Sequence, residues 1–274
     1  MSRPNMDPDT DENSIRCDSK GSRIIGRILP PAVGLWLRSQ AEKIGSLSLD
    51  LAGRDREIIS GYLPRVTVSA QQVIYKGIHI GQLHLSAQDI RINIGQVIRG
   101  KPLRLMKGFP VLGSVILTVE DLNASLASPL LASGLRDFWR SLVQQPLVAQ
   151  SVCDRYGALP CHPKMTLHNP ELRLGQQRIA LSFYPQVLAA NEKLQTLQNP
   201  IILDTALSVV SGSQLKILSP RWLEHLEDMD DAAKGEPIEA LQGYRWDLGK
   251  DTQLSQLSLE SQQLLCNGQI TVNP

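Results

Sequence analysis

The sequence predicts an α+β protein in which antiparallel meanders alternate with helices. Three observations carry that expectation. Apolar residues recur at every second position from Leu47 to Leu105, a helical period returns in "LTVEDLNASLASPLLASGLRDFWRSLV", and a second strand-rich region follows Pro146.

Taken in order, Pro30 and Pro31 mark a helix start, and Val33, Trp36, Leu37, Ala41 and Ile44 recur at helical spacing, which predicts a helix over Pro31–Ile44. In the first meander Val66, Val68 and Ala70 alternate, then Ile78 and Ile80, then Leu83 and Leu85, then Ile90, Ile92 and Ile94. The parity slips near Gly81 and again near Gln88 and Asp89, as it does where short strands are joined by turns or bulges. Thr118 and Asp121 have capping-box spacing, with Leu122, Leu126 and Leu130 stacked four apart behind them. Ser128-Pro129 is a kink or restart, as N-cap and first helical residue, and Leu131, Leu135, Phe138 and Leu142 continue the stripe. In the second meander Leu172 and Leu174, then Ile179, Leu181 and Phe183, hold single parities; short helices are expected at Gln186–Leu197 and after Ser219-Pro220, and a closing hairpin with its tight turn at Asn267-Gly268.

Length and charge bound the function. The chain has 274 residues, 42% of them hydrophobic, and a net charge of +1, so any anion-binding surface has to come from local segregation. Segregation is present. In "RINIGQVIRGKPLRL" Arg91 shares its parity with Asn93, opposite to the Ile set, and Arg99, Lys101, Arg104 and Lys107 follow without an acidic residue between them. Against them stands the acidic stretch "EHLEDMDDAAKGEPIE". A solvated sheet face explains such a cationic run as readily as an anion-facing surface does. Residues 1–22 are polar, rich in Asp, Asn and Ser, and read as a disordered tail ahead of a single domain over 23–274. The tail has no apolar stretch of a secretory signal, and no segment approaches the roughly 18 apolar residues of a membrane span, so the expected location is cytoplasmic or peripheral to a membrane.

No glycine-rich nucleotide loop, zinc-protease motif or serine-hydrolase elbow occurs. "RGKP" at Arg99–Pro102 is no phosphate loop, because proline supplies neither the hydroxyl nor the backbone donor. His79 and His84 read as neighbours across a turn, without a carboxylate or Cys at ligand spacing, and Asp121 and Asn123 are explained as helix caps. No catalytic residue, metal or cofactor is therefore expected. With 4% aromatic residues a base-stacking platform is poorly supplied, and nucleic acid is not an expected partner. Cys17, Cys153, Cys161 and Cys266 show no metal-like spacing; reduced thiols are the default, although Cys153 and Cys161 bracket "DRYGALP" and their pairing would close a small loop.

"ISGYLPRVTVSAQQVIYKGIHI" (Ile59–Ile80), "IRINIGQVIRGKPLRL" (Ile90–Leu105), "VEDLNASLASPLL" (Val119–Leu131) and the C-terminal Asp247–Pro274 resemble the LmeA-like phospholipid-binding family. The resemblance implies a tubular-lipid-binding architecture, in which a strongly curved antiparallel sheet wraps long helices and leaves a groove for acyl chains. It implies a non-enzymatic lipid-binding or lipid-transfer protein acting peripherally at a membrane, with phospholipid as its partner. The groove wall would then comprise Val66, Val68, Ile78, Ile80, Leu83, Leu85, Ile90 and Ile92, with Leu122 and Leu126 from the helix, and the headgroup would meet Arg91, Arg99, Lys101 or Arg104. The alternative is an interaction module whose interior is filled by its own side chains, since Leu and Ile line a core and a cavity equally well.

Overall fold

The structure, a computed structural model, describes residues 15–18, 25–188, 193–249 and 252–274. The α+β class is as expected, distributed over two open sheets. The first carries β1 (Ile15–Asp18), α1 (Ile25–Gln40), β2 (Lys43–Ala52), α2 (Asp55–Ile59), β3 (Tyr62–Tyr75), β4 (Ile78–Arg91), α3 (Ile94–Val97) and β5 (Phe109–Thr118). Three helices follow: α4 (Val119–Ser125), α5 (Pro129–Val143) and α6 (Pro146–Tyr156). The second sheet is built from β6 (Thr166–Gly175), β7 (Arg178–Leu188), β8 (Leu194–Thr196), β9 (Ile201–Ser211), β10 (Gln214–Leu223), β11 (Glu236–Pro237) and β12 (Arg245–Asp247). The chain then returns to the first sheet through β13 (Thr252–Leu259) and β14 (Gln263–Val272), giving the order β1-β2-β3-β4-β5-β14-β13. All pairs are antiparallel except β1 with β2. Within the tail expected at 1–22, Ile15–Asp18 thus pair with Leu49–Ala52, and the rest lies outside the described residues.

Among the described residues two large apolar cores form, with a small cluster of Ala180, Ile202, Leu223 and Met229 besides. Leu29 and Val33 of α1 pack with Leu47, Leu49 and Leu51 of β2 and with Val66, Val68, Ile90 and Ile92. The second core gathers Leu122, Leu126, Trp139, Leu142, Val148 and Val152 from the helices against Phe183, Ile201, Leu203, Ile217 and Trp222 of the second sheet. The halves are stitched by Asn123, whose side chain donates to Leu172 O (2.8 Å) and accepts from Leu172 N (2.9 Å), and by Gln177 N donating to Leu259 O. In the second sheet Asp204 is fully buried and receives the guanidinium groups of Arg178 (2.8 Å) and Arg221 (2.6 Å). Arg221 also donates to the carbonyls of Met229, Asp231 and Lys234, anchoring the acidic stretch.

Local signals held where the interaction is local. Thr118 Oγ1 accepts from Asp121 N (3.1 Å) and Asp121 Oδ2 from Thr118 N (3.0 Å), and Ser128 accepts from Leu131 N, so α4 ends and α5 restarts at Ser128-Pro129 as expected. The restart turns Leu130 out to solvent and leaves Trp139 as the buried anchor of α5. The parity slips correspond to left-handed backbone at Asp89 (φ 56°) and at Gln72 (φ 51°), whose neighbour Gln71 pairs with Gln82 beside Gly81.

Four expectations are corrected by tertiary pairing. The first helix begins at Ile25, encloses both prolines and ends at Gln40, because Leu29 extends its apolar stripe backwards while Ile44 is taken by the ladder to Val73. Gln186–Leu188 and Leu194–Thr196 are paired strands where a helix was expected; 189–192 lie outside the described residues. Ser219 and Pro220 sit inside β10 at a register shift, where a left-handed Ser219 (φ 46°) lets the strand continue past proline. Asn267 and Gly268 lie mid-strand in β14, and the hairpin turns at Glu260–Gln263; a Cβ at Gly268 would meet Gln253 O at 2.6 Å, so the glycine serves close strand approach.

Candidate functional site

Directly paired residues of antiparallel strands point to one face, so the register sorts the first sheet into rows. One row runs Leu47, Ala70, Leu83, Val115, Cys266, Leu257; the next runs Leu49, Val68, Leu85, Gly113, Gly268, Leu254; a third runs Leu51, Val66, Ala87, Val111, Ile270. Burial falls along each of them. The β2 and β3 members are buried under α1, and so are Ala87 and Val111 of the third row, whereas Leu83, Leu85, Val115, Cys266, Leu257 and Leu254 are only half-buried and Ile270 is 49% exposed. The apolar face therefore continues past its helix as an uncovered strip along β4, β5, β14 and β13. Gly113 and Gly268 are paired at its centre and leave it without side chains there.

The strip ends at the cationic segments. At the end of the sheet where Ala52, Arg65 and Gln88 align, the segments 52–65 and 88–109 carry Arg54, Arg56, Arg65, Arg91, Arg99, Lys101, Arg104 and Lys107 in their sequence, with Asp55, Glu57 and Asp89 as the acidic residues. The predicted strand through Ile94 stops at the Ile92–Leu105 bridge, and α3 turns the chain outward. Asn93 holds the excursion: its Nδ2 donates to Pro102 O (3.0 Å) and Gln96 Oε1 (3.1 Å), and its Oδ1 accepts from Arg104 N (2.7 Å). On this frame Ile98 (50% exposed) and Met106 (62% exposed) stand among exposed Arg99, Lys101, Arg104 and Lys107. The Arg91 guanidinium lies 5.5 Å from the Tyr62 ring centre, and Tyr62 donates its hydroxyl to Asp89, a bond that raises the phenol above its ordinary pKa. An open depression of about 450 Å³ lined by Arg54, Glu57, Arg65 and Gln88 adjoins the same end.

The structure divides the aliphatic candidates. Val66, Val68, Ile90 and Ile92 are core side chains; Ile80, Leu83 and Leu85 border that core at the strip; Ile78 belongs to neither core; Leu122 and Leu126 lie in the second core. Of the headgroup candidates, Arg91 lies against Tyr62 at the end of β4, and Arg99, Lys101 and Arg104 are exposed on the segment between α3 and β5. Sequence reasoning missed β5, the uncovered strip and Asn93, although Val111, Gly113, Val115 and Leu117 alternate visibly.

The opposite, polar face of the sheet holds a cleft of about 400 Å³ lined mainly by Ser46, Ser48, Ser69, Gln71, Gln82, His84 and Ser114. His79 and His84 prove to share β4 and not to face each other across a turn; His84 Nδ1 is 2.9 Å from Ser69 Oγ, and His79 N donates to Ser125 Oγ. Among the described residues that line this cleft there is no carboxylate beside the imidazole. Among the described residues no cluster of His, Cys, Asp and Glu suits a metal, and no helix is long and apolar enough to cross a membrane.

Comparison with protein families gives a match to the model described as LmeA-like phospholipid-binding over residues 20–269. The chain belongs to that family. Its description is of binding and not of catalysis, and this directs attention to the strip and the cationic end. No curated protein matches the chain.

Proposed function

We propose that this member of the LmeA-like family holds a phospholipid without chemical change, as a lipid-binding or lipid-transfer protein acting peripherally at a membrane. One acyl chain lies along the uncovered strip, on Leu83, Leu85, Val115 and Cys266. The phosphate meets Arg91, Arg99, Lys101 and Arg104 at the strip's end, and Ile98 and Met106 enter the membrane interface. The observation that carries this reading is the fall in burial from Leu49 through Val68 to Leu85 and Leu254 along one row of the sheet. Each methylene buried contributes about 0.8 kcal/mol, so the tail supplies affinity, while charge-assisted contacts to phosphate supply orientation. In this reading the tubular-lipid-binding arrangement is represented by the first sheet with α1 on one face. Residues 23–274 act as one unit, because the C-terminal hairpin completes the sheet that the N-terminal strands begin.

A second reading, an interaction module with a filled interior, is favoured by the packing of Val66, Val68, Ile90 and Ile92 against α1. Native mass spectrometry of the purified full chain, followed by lipid extraction, separates the two. Co-purifying phospholipid that is lost in Val115→Lys supports the lipid reading. A folded wild-type chain that is lipid-free and refuses added phospholipid leaves the module.

A further inference from the structure

Apart from the lipid site, a pair of thiols stands at the edge of the second core that neither reading uses. Cys153 lies in the last turn of α6, and Cys161 closes the 3-10 turn Leu159–Cys161. Their sulfurs are 3.3 Å apart, and both side chains are half-buried, within reach of a small reagent. The two elements that carry them also wall the core. Val148 and Val152 of α6 are fully buried, and the Pro160 carbonyl accepts the indole N–H of Trp139 at 2.9 Å, the central side chain of α5. Cys266, the other cysteine whose side chain is described, lies on the strip of the first sheet and has no such neighbour.

We propose that Cys153 and Cys161 are an oxidative modification site, closing to an intrachain disulfide that clamps α6 to the Leu159–Cys161 turn. The oxidant is a low-molecular-weight disulfide. Burial and the hydrogen bond between the two sulfurs push the Cys161 thiol up to about 12, and either sulfur can make the first attack, Cys153 in the route that follows. The Cys153 thiolate attacks the small disulfide, forms a mixed disulfide and expels one small thiolate, which takes up the proton Cys153 lost. Cys161 then gives up its proton as its sulfur attacks the Cys153 sulfur, and the second small thiolate leaves and collects that proton. Two protein thiols are thus oxidised by two electrons, and one small disulfide is reduced to two thiols. The movement needed is short, from 3.3 Å to a bond of about 2.05 Å.

The test is to incubate the full chain with oxidised glutathione, map its peptides without reduction, and compare melting with the dithiothreitol-treated protein. The expected result is a Cys153–Cys161 cross-linked peptide and a melting temperature raised by roughly 5 °C, as a short closed loop confers. The rise should persist in Cys266→Ser and vanish in Cys153→Ser. Should Cys153→Ser fail to fold, the peptide map and melt of the wild type decide alone. Recovery of both thiols in alkylatable form, of stable glutathione adducts without the cross-link, or of an oxidised chain that melts no higher than the reduced one overturns the proposal.

Discussion

Asn93→Ala separates the shape of the cationic excursion from its charge. The side chain makes three hydrogen bonds within the 93–107 segment, one to Gln96 on its own leg and two, to Pro102 and Arg104, that join the legs. Each contributes about 1 kcal/mol net, so the loss is about 2–3 kcal/mol of local stability. The groups left behind reach water, and the cost stays local: the core beneath, from Ile90 to Ile94, is still buried. Opening of the segment should therefore become about 30- to 140-fold more frequent. In native-state hydrogen exchange the Arg104 and Lys101 amides should exchange faster by that order, while amides of Val68 and Leu85 stay unchanged and the melting temperature moves little. Binding to anionic vesicles should weaken by several-fold with no charge removed, because a mobile segment has to be ordered again on contact. Unchanged exchange at Arg104 would refute the view that Asn93 is the fastener.

Replacing Arg99, Lys101 and Arg104 with Gln should cost about 3 kcal/mol of affinity for anionic vesicles, about 1 kcal/mol per cation, measured by flotation; added salt should mimic the mutant, since screening acts over about 8 Å at physiological ionic strength. Ile98→Ser with Met106→Ser should cost about 2 kcal/mol, because roughly half of each side chain is still to be buried, and that loss should persist at high salt. In Asp204→Ala the guanidinium of Arg221 stays buried without its carboxylate, which should destabilise the fold by about 3–5 kcal/mol in chemical unfolding. Stability should fall as pH rises beyond the ordinary thiol value of about 8.5, because burial raises Cys161, and with it Cys266 and Tyr156, in the folded state while the unfolded groups ionise first. Urea titrations at pH 8 and pH 10 should show a smaller loss in Cys161→Ser than in wild type.

What the sequence made legible was whatever neighbouring residues decide among themselves. The Thr118–Asp121 capping box, the restart at Ser128-Pro129 and the alternation of β3 and β4 are set within one turn or one strand, and they stand as read. Asn267-Gly268 and Ser219-Pro220 carry the letters of a turn or a helix start, but pairing across the sheet took both into strands. The candidate site was legible by half. Arg99, Lys101 and Arg104 announce themselves as a run, whereas their falling at the same end of the sheet as Arg54, Arg65 and Arg91 depends on where the strands end. Alternation likewise puts Leu83 and Leu85 on one face, but only the register adds Val115 to it, and the reach of α1 decides that Leu49 is covered and they are not. Asn93 gave no signal, because its three partners lie three to eleven residues further along the chain.

The central claim, that the cationic end of the first sheet meets phospholipid, is tested most directly by an environment-sensitive fluorophore placed at Ile98→Cys, at Met106→Cys and, as a control on the second half, at exposed Leu147→Cys, with the native cysteines replaced by Ser. On addition of phosphatidylglycerol vesicles the probes at 98 and 106 should shift to the blue as they leave water, and the probe at 147 should not move. No shift at 98 and 106, or a shift at 147 instead, contradicts the account.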